Sequence, residues 1–370
     1  MRLALREMRR RPGRFGVTTA ILTLIALLLM FLGGLLDGLI AGSTGALRAQ
    51  QADLIVYSDA AEESLVRSRL TPEERARVEQ AADGARVAGL GSVQLGARLE
   101  GRGPRDLVPV VLFGFEAAPE GIDGGPPPDG RVYADDTLRA EGVDEGDVIR
   151  LGAARTPVEV VGFVEDSRYA GQGTLWGSLA TWREVVGANR PGERVGDGVV
   201  QALVVGDGSG AAPAPEAIDR ATGGATSTLT IDGAIDALPG VSQQRTVFTQ
   251  IIGVTVIIAL VVVALFFALI TVERTALYGV LKAIGAGSGT LFAGVLLQAL
   301  VVTLIASAIG VAASLAIDAA LPAGSLPFLA SPVRLAANVG YLVLAAAVGC
   351  AFSLRRVLRI DPARAIGGEQ

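Results

Sequence analysis

Four long stretches without a charged residue constrain this chain more than any other feature: Phe15–Leu36, Thr246–Val272, Ala283–Ile317 and Leu335–Leu354, of 22, 27, 35 and 20 residues. A helix needs about 20 residues to cross a hydrocarbon layer of about 30 Å, so each stretch is long enough to span a membrane. The third is too long for one crossing, since 35 residues at about 1.5 Å each cover roughly 50 Å. Its glycine-rich start, Gly285-Ala286-Gly287-Ser288-Gly289-Thr290, reads as a turn, with the helix beginning near Leu291. Composition agrees: apolar residues make up 51% and charged residues 19% of the 370, against about 25% charged in soluble domains, and mean hydropathy is +0.49.

The first stretch has a competing reading as a secretion signal, with small residues at Ile40-Ala41-Gly42-Ser43 for cleavage. A signal's apolar region is typically about 7–15 residues long, shorter than the 22 here. Three further spans would hold the chain in the membrane in any case.

Orientation follows from the basic residues beside the spans. Six Arg precede span one, Arg274 and Lys282 separate spans two and three, and Arg355, Arg356, Arg359 and Arg364 follow span four. The loop Asp318–Arg334 between spans three and four holds one basic residue. Both termini therefore read as cytoplasmic in a cell-membrane protein of multiple passes, and Asp37–Arg245 reads as external. That segment carries 19 Arg against 32 acids, a net of −13 that the overall −5 conceals.

About 200 polar residues are enough for a folded domain. Strand-like runs recur at Asp53–Tyr57, Leu107–Phe113, Val148–Leu151, Val158–Val164 and Val200–Val205. Thr71-Pro72-Glu73-Glu74 has the form of a helix start, with Thr as N-cap, Pro at the first position and acids in the first turn; Pro215–Ala221 is a weaker second helix. The expected fold class is membrane α-helical: four transmembrane helices in a 1+3 arrangement, with an α+β extracytoplasmic domain inserted between helices 1 and 2. A small β-rich subdomain is expected around Asp129–Gly177, with linkers at Gly121–Gly130 and Gly206–Pro215. The domains read as 1–52, an N-terminal amphipathic segment with the first span; 53–245, the extracytoplasmic domain; and 246–370, spans two to four with a cytoplasmic helix at 273–286 and a tail.

Several chemistries are excluded by the residues themselves. Histidine is absent, which removes imidazole general bases, His-ligated metals and a Ser-His-Asp triad. Cys350 is the single cysteine, so no internal disulfide or multi-cysteine zinc site is available. The sole lysine, Lys282, is followed by Ala283 and Ile284 rather than by Ser or Thr, so no Walker-type phosphate loop exists. The acid pairs Glu62-Glu63, Asp135-Asp136 and Glu165-Asp166 invite a glycosidase or metal reading, but they fit a solvated surface better. Trp176 and Trp182 read as core packing rather than as a ligand groove. No catalytic residue, metal ligand or cofactor is expected, and no nucleic-acid partner.

The informative stretch lies between spans two and three: Glu273-Arg274-Thr275-Ala276-Leu277-Tyr278-Gly279-Val280-Leu281-Lys282-Ala283-Ile284-Gly285-Ala286. Leu277, Val280, Leu281 and Ile284 recur at i, i+3, i+4 and i+7, the spacing of an amphipathic helix. The segment resembles the hallmark E-R-x-x-x-[IY]-G-x-[LM]-[KR]-A-[IL]-G-A of the MacB/FtsX-type ABC transporter permeases, matched here by Glu273, Arg274, Tyr278, Gly279, Leu281, Lys282, Ala283, Ile284, Gly285 and Ala286. After span four, Arg359-Ile360-Asp361-Pro362-Ala363-Arg364-Ala365-Ile366 is similar to that family's basic turn followed by D-P-x-x-[AS]-[IL]. Val132-Tyr133-Ala134, Glu145-Gly146-Asp147-Val148-Ile149 and Val158-Glu159-Val160-Val161-Gly162 resemble an element of its periplasmic core. Within the family the DevC-like and haem-exporter-like branches look nearest.

The resemblance implies a permease subunit beside a separate cytoplasmic ATPase that binds the ATP, with a second permease copy as dimer partner. It implies mechanical transmission, with Glu273, Arg274, Leu277, Tyr278, Gly279, Leu281, Lys282, Ala283, Ile284 and Gly285 coupling to the ATPase and Arg359, Asp361, Pro362 and Ala365 in a cytoplasmic C-terminal motif. The implied task is extrusion of a hydrophobic or amphipathic compound such as haem, a lipid or a drug-like molecule. A non-transporting regulator of a cell-wall hydrolase, as in the FtsX branch, and a lipoprotein-sorting permease remain open. Met30, Phe31, Asp37 and Phe248 are candidates for a substrate path.

Overall fold

The computed structural model describes residues 12–99, 103, 106–193, 195–207, 212–273, 280, 284, 287–321 and 326–357. The chain forms two compact units, one of Met1–Gly38, Arg245–Pro322 and Pro327–Gln370, the other of Leu39–Gln244 and Ala323–Leu326.

Helix α1 runs Pro12–Arg48 without a break, 37 residues or about 55 Å, well beyond the apolar stretch that announces it. In the inserted domain follow β1 (Leu54–Ser58), α2 (Pro72–Ala81), β2 (Val87–Arg98), β3 (Val108–Phe115), β4 (Arg131–Asp135), β5 (Val148–Leu151), β6 (Thr156–Val164), β7 (Gly173–Ser178), α3 (Leu179–Asn189), β8 (Ala202–Val205), α4 (Pro215–Ala221), β9 (Thr226–Thr230) and α5 (Ile231–Ala237). Three long helices close the chain: α6 (Val241–Glu273), α7 (Ser288–Ala320) and α8 (Pro332–Val357). Together with α1 they are four helices long and apolar enough to cross a membrane. The 1+3 arrangement with an inserted sheet-containing domain is therefore the architecture of this chain. One boundary differs from expectation: α7 begins at Ser288 with Gly287 as its N-cap, so the turn is shorter than the Gly285–Thr290 run.

Among the described residues the inserted domain holds nine strands in the order β3-β7-β4-β6-β5-β2-β8-β1-β9, with β2 also pairing to β3. That extra pairing closes β3, β7, β4, β6, β5 and β2 into a ring, a mixed barrel in which β3–β7 and β4–β6 are parallel. The twelve-residue β2 makes this possible. It pairs with β3 along Leu90–Ala97, with β5 at Ala97–Arg98 and with β8 at Val87–Leu90. The expected separate subdomain at Asp129–Gly177 is thereby corrected: its strands complete a barrel with β2 and β3 and have no core of their own.

Strand alternation sorts side chains between two cores. Val110 and Leu112 of β3 join one cluster with Val132, Val160, Leu175 and Trp182. Val111, Phe113 and Phe115 join the other with Tyr57, Tyr169 and Trp176. Both tryptophans are fully buried, and Trp176 stacks on Phe113 at 4.7 Å, so packing is their role. Trp182 lies against the backbones of Gly91 and Gly114, where an added Cβ would meet it at 2.6 and 2.5 Å. Glycine in β2 and β3 makes room for that ring, and Gly89, Gly91 and Gly96 hid β2 from a reading based on alternation. The start of α2 forms as read: Thr71 accepts from Glu74 N–H, the Glu74 side chain accepts from Thr71 N–H, and Pro72 follows the cap.

In the membrane unit, α1 meets α7 where Gly310 faces Ala26 and Met30, and α6 meets α8 where Gly349 faces the Leu260 carbonyl. Small residues let membrane helices approach closely when no hydrophobic drive distinguishes protein from lipid.

Candidate functional site

The segment joining α6 to α7 is where the sequence places the coupling residues. Glu273 ends α6; Arg274, Leu277, Tyr278, Gly279, Leu281, Lys282, Ala283 and Gly285 lie outside the described residues. Val280 is helical, and Ile284 N–H donates to Val280 O at 3.1 Å, the i to i−4 bond of an α-helical turn. Val280 is 49% and Ile284 79% exposed, so two members of the apolar stripe are uncovered in this chain alone. Arg359, Asp361, Pro362 and Ala365 also lie outside the described residues.

The four substrate-path candidates do not converge on one cavity. Met30 is fully buried in a cluster with Ala330 and Leu335. Phe31 stacks on Phe328 with ring centroids 5.7 Å apart, and Phe248 is half-buried on α6. Asp37 takes Arg334, in the first turns of α8, in a two-pronged ion pair: Nη2 reaches Oδ1 at 2.6 Å and Nε lies 3.1 and 3.2 Å from the two oxygens. One turn deeper, Asn338 is fully buried and its Nδ2 donates to Leu29 O at 3.3 Å, while its Oδ1 has no partner. Gly33 leaves the space: an added Cβ would lie 2.9 Å from Asn338 Nδ2 and 3.1 Å from Arg334 Cγ. Beyond it, Leu329 N–H donates to Gly34 O at 3.0 Å. Arg334 was legible only as a charge beside span four; its pairing with a carboxylate 297 residues away carries no local sequence signal.

The acid pairs prove to be structural or solvated. Asp135 is fully buried; its Oδ2 accepts from Ser167 N at 3.1 Å and Ser167 Oγ at 2.7 Å, and Oδ1 accepts from Thr137. Among the described residues no cluster of acids could hold a metal ion. Burial, then the charges of Asp135 and Glu165, push the neighbouring Asp136 carboxyl above the usual carboxylate range, offset in part by Thr137 N–H and Arg139. A carboxyl raised on folding contributes its full stability below the unfolded value and loses it as pH climbs through the folded one. Asp136→Asn is therefore expected to raise the unfolding midpoint at neutral pH, with a gain that disappears below the ordinary carboxylate pKa. Charge contacts at half-exposed sites are worth roughly 0.2–1 kcal/mol; thermal melts of wild type and variant across pH 3–8 test it.

The fold defines a class: a membrane protein with four helices of spanning length and a mixed-barrel domain inserted between the first and second. Residues 250–362 match the family described as FtsX-like permease C-terminal. Over its full length it is 23% identical to HrtB of Staphylococcus epidermidis, a permease protein named for a hemin transport system, with 100% of each chain covered. An uncharacterized ABC transporter permease of Mycobacterium tuberculosis is 34% identical over 137 residues, 36% of this chain and 38% of that one. The crystal structure of the extracellular domain of the noncanonic ABC-type transporter YknZ from Gram-positive bacteria matches at 13% identity and a TM-score of 0.32, covering 48% of this chain and 99% of that one. The match of residues 250–362 to a permease family implies a cytoplasmic ATPase partner and a membrane location.

Proposed function

We propose that this chain is the permease half of an exporter in which ATP hydrolysis by a separate cytoplasmic subunit drives extrusion of a hydrophobic or amphipathic compound, haem foremost, by mechanical transmission through the membrane helices. The observation that carries the substrate reading is the full-length match to a permease named for hemin transport. The chain itself binds no nucleotide or other cofactor; the ATP sits on the partner. Two copies assemble, each offering its α6–α7 turn to one ATPase, and Glu273 through Gly285 with the Arg359–Ala365 motif form the cytoplasmic contact. Four spans with the basic flanks inside put both termini in the cytoplasm.

Co-expression with the ATPase in a haem-sensitive host tests the substrate. Growth in otherwise toxic haem is expected only when both subunits are present. ATPase stimulation without protection by haem, lipid or drug challenge would overturn the exporter in favour of a non-transporting mechanotransmitter. Orientation has its own test. A reporter after Gln370 is expected in the cytoplasm and one within Gly121–Gly130 outside; both on one side would refute the four-span topology.

A further inference from the structure

The last turns of α1 are gripped by the loop between β6 and β7. Gly171 N–H donates to Gly42 O at 3.0 Å, Ala170 N–H to Ser43 O at 3.1 Å, and Ala46 N–H to Arg168 O at 3.1 Å. Thr44 and Tyr169 form an isolated β-bridge, and Arg48 pairs with Asp166 at 3.0 Å. The approach is as close as backbones allow: a Cβ on Gly45 would lie 2.5 Å from Asp166 O and 2.9 Å from Arg168 N and O. The loop thus bonds backbone groups of Gly42, Ser43 and Ala46 inside the helix, the two carbonyls lying ahead of its last four, Gly45–Arg48.

The loop is held just as firmly on its other side. Ser167 binds the buried Asp135 of β4 through N and Oγ, its Oγ lies 2.8 Å from Thr174 Oγ1 of β7, and Thr174 Oγ1 accepts from Trp176 Nε1 at 2.8 Å. Tyr169 packs edge-on against Phe113 at 5.3 Å. Asp166 and Ala170 sit at φ 50° and 51°, a left-handed conformation that non-glycine residues keep only where surroundings over-determine it, commonly at functional positions.

We propose that the loop Glu165–Gln172 is the joint that delivers movement of the first membrane helix to the inserted domain: the segment Gly42–Arg48 and the barrel move as one body throughout the ATPase cycle. The load path runs from the α1 backbone through Arg168–Gly171 to Ser167, and from there through Asp135 and Thr174 into β4, β7 and the Trp176 core. The proposal rests on the mechanical-transmission reading above.

The test uses the full permease–ATPase complex in membranes, in a Cys350→Ala background. Ser43→Cys with Ala170→Cys, bridged by a short thiol-reactive linker, is expected to leave export within about twofold of the unbridged pair, because the joint never opens. Gly45→Leu drives a side chain into the Asp166–Arg168 backbone and is expected to lower export roughly tenfold while ATP hydrolysis continues, the scale on which residues along a coupling route act. If Gly45→Leu fails to insert, Ser167→Ala cuts the anchor without added bulk and is expected to lower export severalfold. Spin labels at Ala41→Cys and Glu159→Cys read the joint without any cargo. Their spacing is expected to stay constant with and without ATP, and to broaden in Gly45→Leu. A blocked bridged variant, a normal exporting Gly45→Leu, or a nucleotide-dependent spacing overturns the joint. Constant spacing in a wild type that exports nothing supports the joint and overturns the transport reading instead.

Discussion

Leu281→Asp is expected to release the ATPase subunit while the permease still inserts and folds. The i, i+3, i+4, i+7 spacing of Leu277, Val280, Leu281 and Ile284 is that of one helical face, and the two that the structure describes are exposed, Ile284 by 79%. Exposed apolar side chains such as Val280 and Ile284 suit a protein partner. Truncating such an anchor typically costs about 1–4 kcal/mol of binding, and an unpaired carboxylate in its place adds the penalty of burying a charge. Affinity should fall at least a hundredfold, a difference of about 2.7 kcal/mol, enough to lose the ATPase on co-purification. Lys282→Ala is expected to weaken association only modestly, since a rim charge acts mainly on association rate. Pull-down with the ATPase and measurement of its stimulated turnover check both. Unchanged association in Leu281→Asp would make this segment an ordinary interfacial helix and remove the main physical support for coupling at this turn.

Arg334→Ala is expected to destabilise the membrane unit far more than removal of both partners of the ion pair. Asp37 is 15% and Arg334 35% exposed at the side chain, and the pair stands where α1 and α8 leave the apolar zone. Deleting Arg334 strands the largely buried Asp37 carboxylate; breaking a buried pair costs about 3–5 kcal/mol, and the partial exposure reduces this to roughly 2–3 kcal/mol. Asp37→Asn with Arg334→Gln keeps the volumes and strands no charge, so it should recover most of the loss. Cys350 supplies the readout: it is the free cysteine, buried in the bundle, and its reaction with a thiol reagent on heating reports bundle opening. Equal stability of the single and double variants would show that the pair contributes nothing. Asp37 is thereby better described as a helix-fastening residue than as an open substrate contact.

What could be read ahead of the structure divides along physical lines. Span count, the insertion point of the domain and the α2 start were legible because each depends on neighbours within about one helical length: apolar runs matched to a bilayer, a Thr-Pro-Glu-Glu cap. Strands β5 and β6 were legible for the same reason, as apolar runs of high β-propensity. Strands β2, β4, β7 and β9 were not. Gly89, Gly91 and Gly96 break the β2 pattern, and the reason for Gly91 is a tryptophan 91 positions away. Helix ends were also understated, because α1 continues into the domain to Arg48, past the last residue that a bilayer would demand.

The sequence by itself determined that this chain crosses a membrane, which flanks are basic, that no histidine or phosphate loop is available for chemistry, and that apolar residues recur at helical spacing between spans two and three. These follow from local composition and period, which act over a few turns of chain. Tertiary structure alone decided that β2 closes a barrel, that Asp37 is fastened to Arg334, and that the β6–β7 loop grips the end of α1. Those contacts join segments distant in sequence, 297 positions apart at Asp37–Arg334, and their geometry is set by close approach at Gly33, Gly45, Gly91 and Gly114, where what matters is the side chain each position lacks.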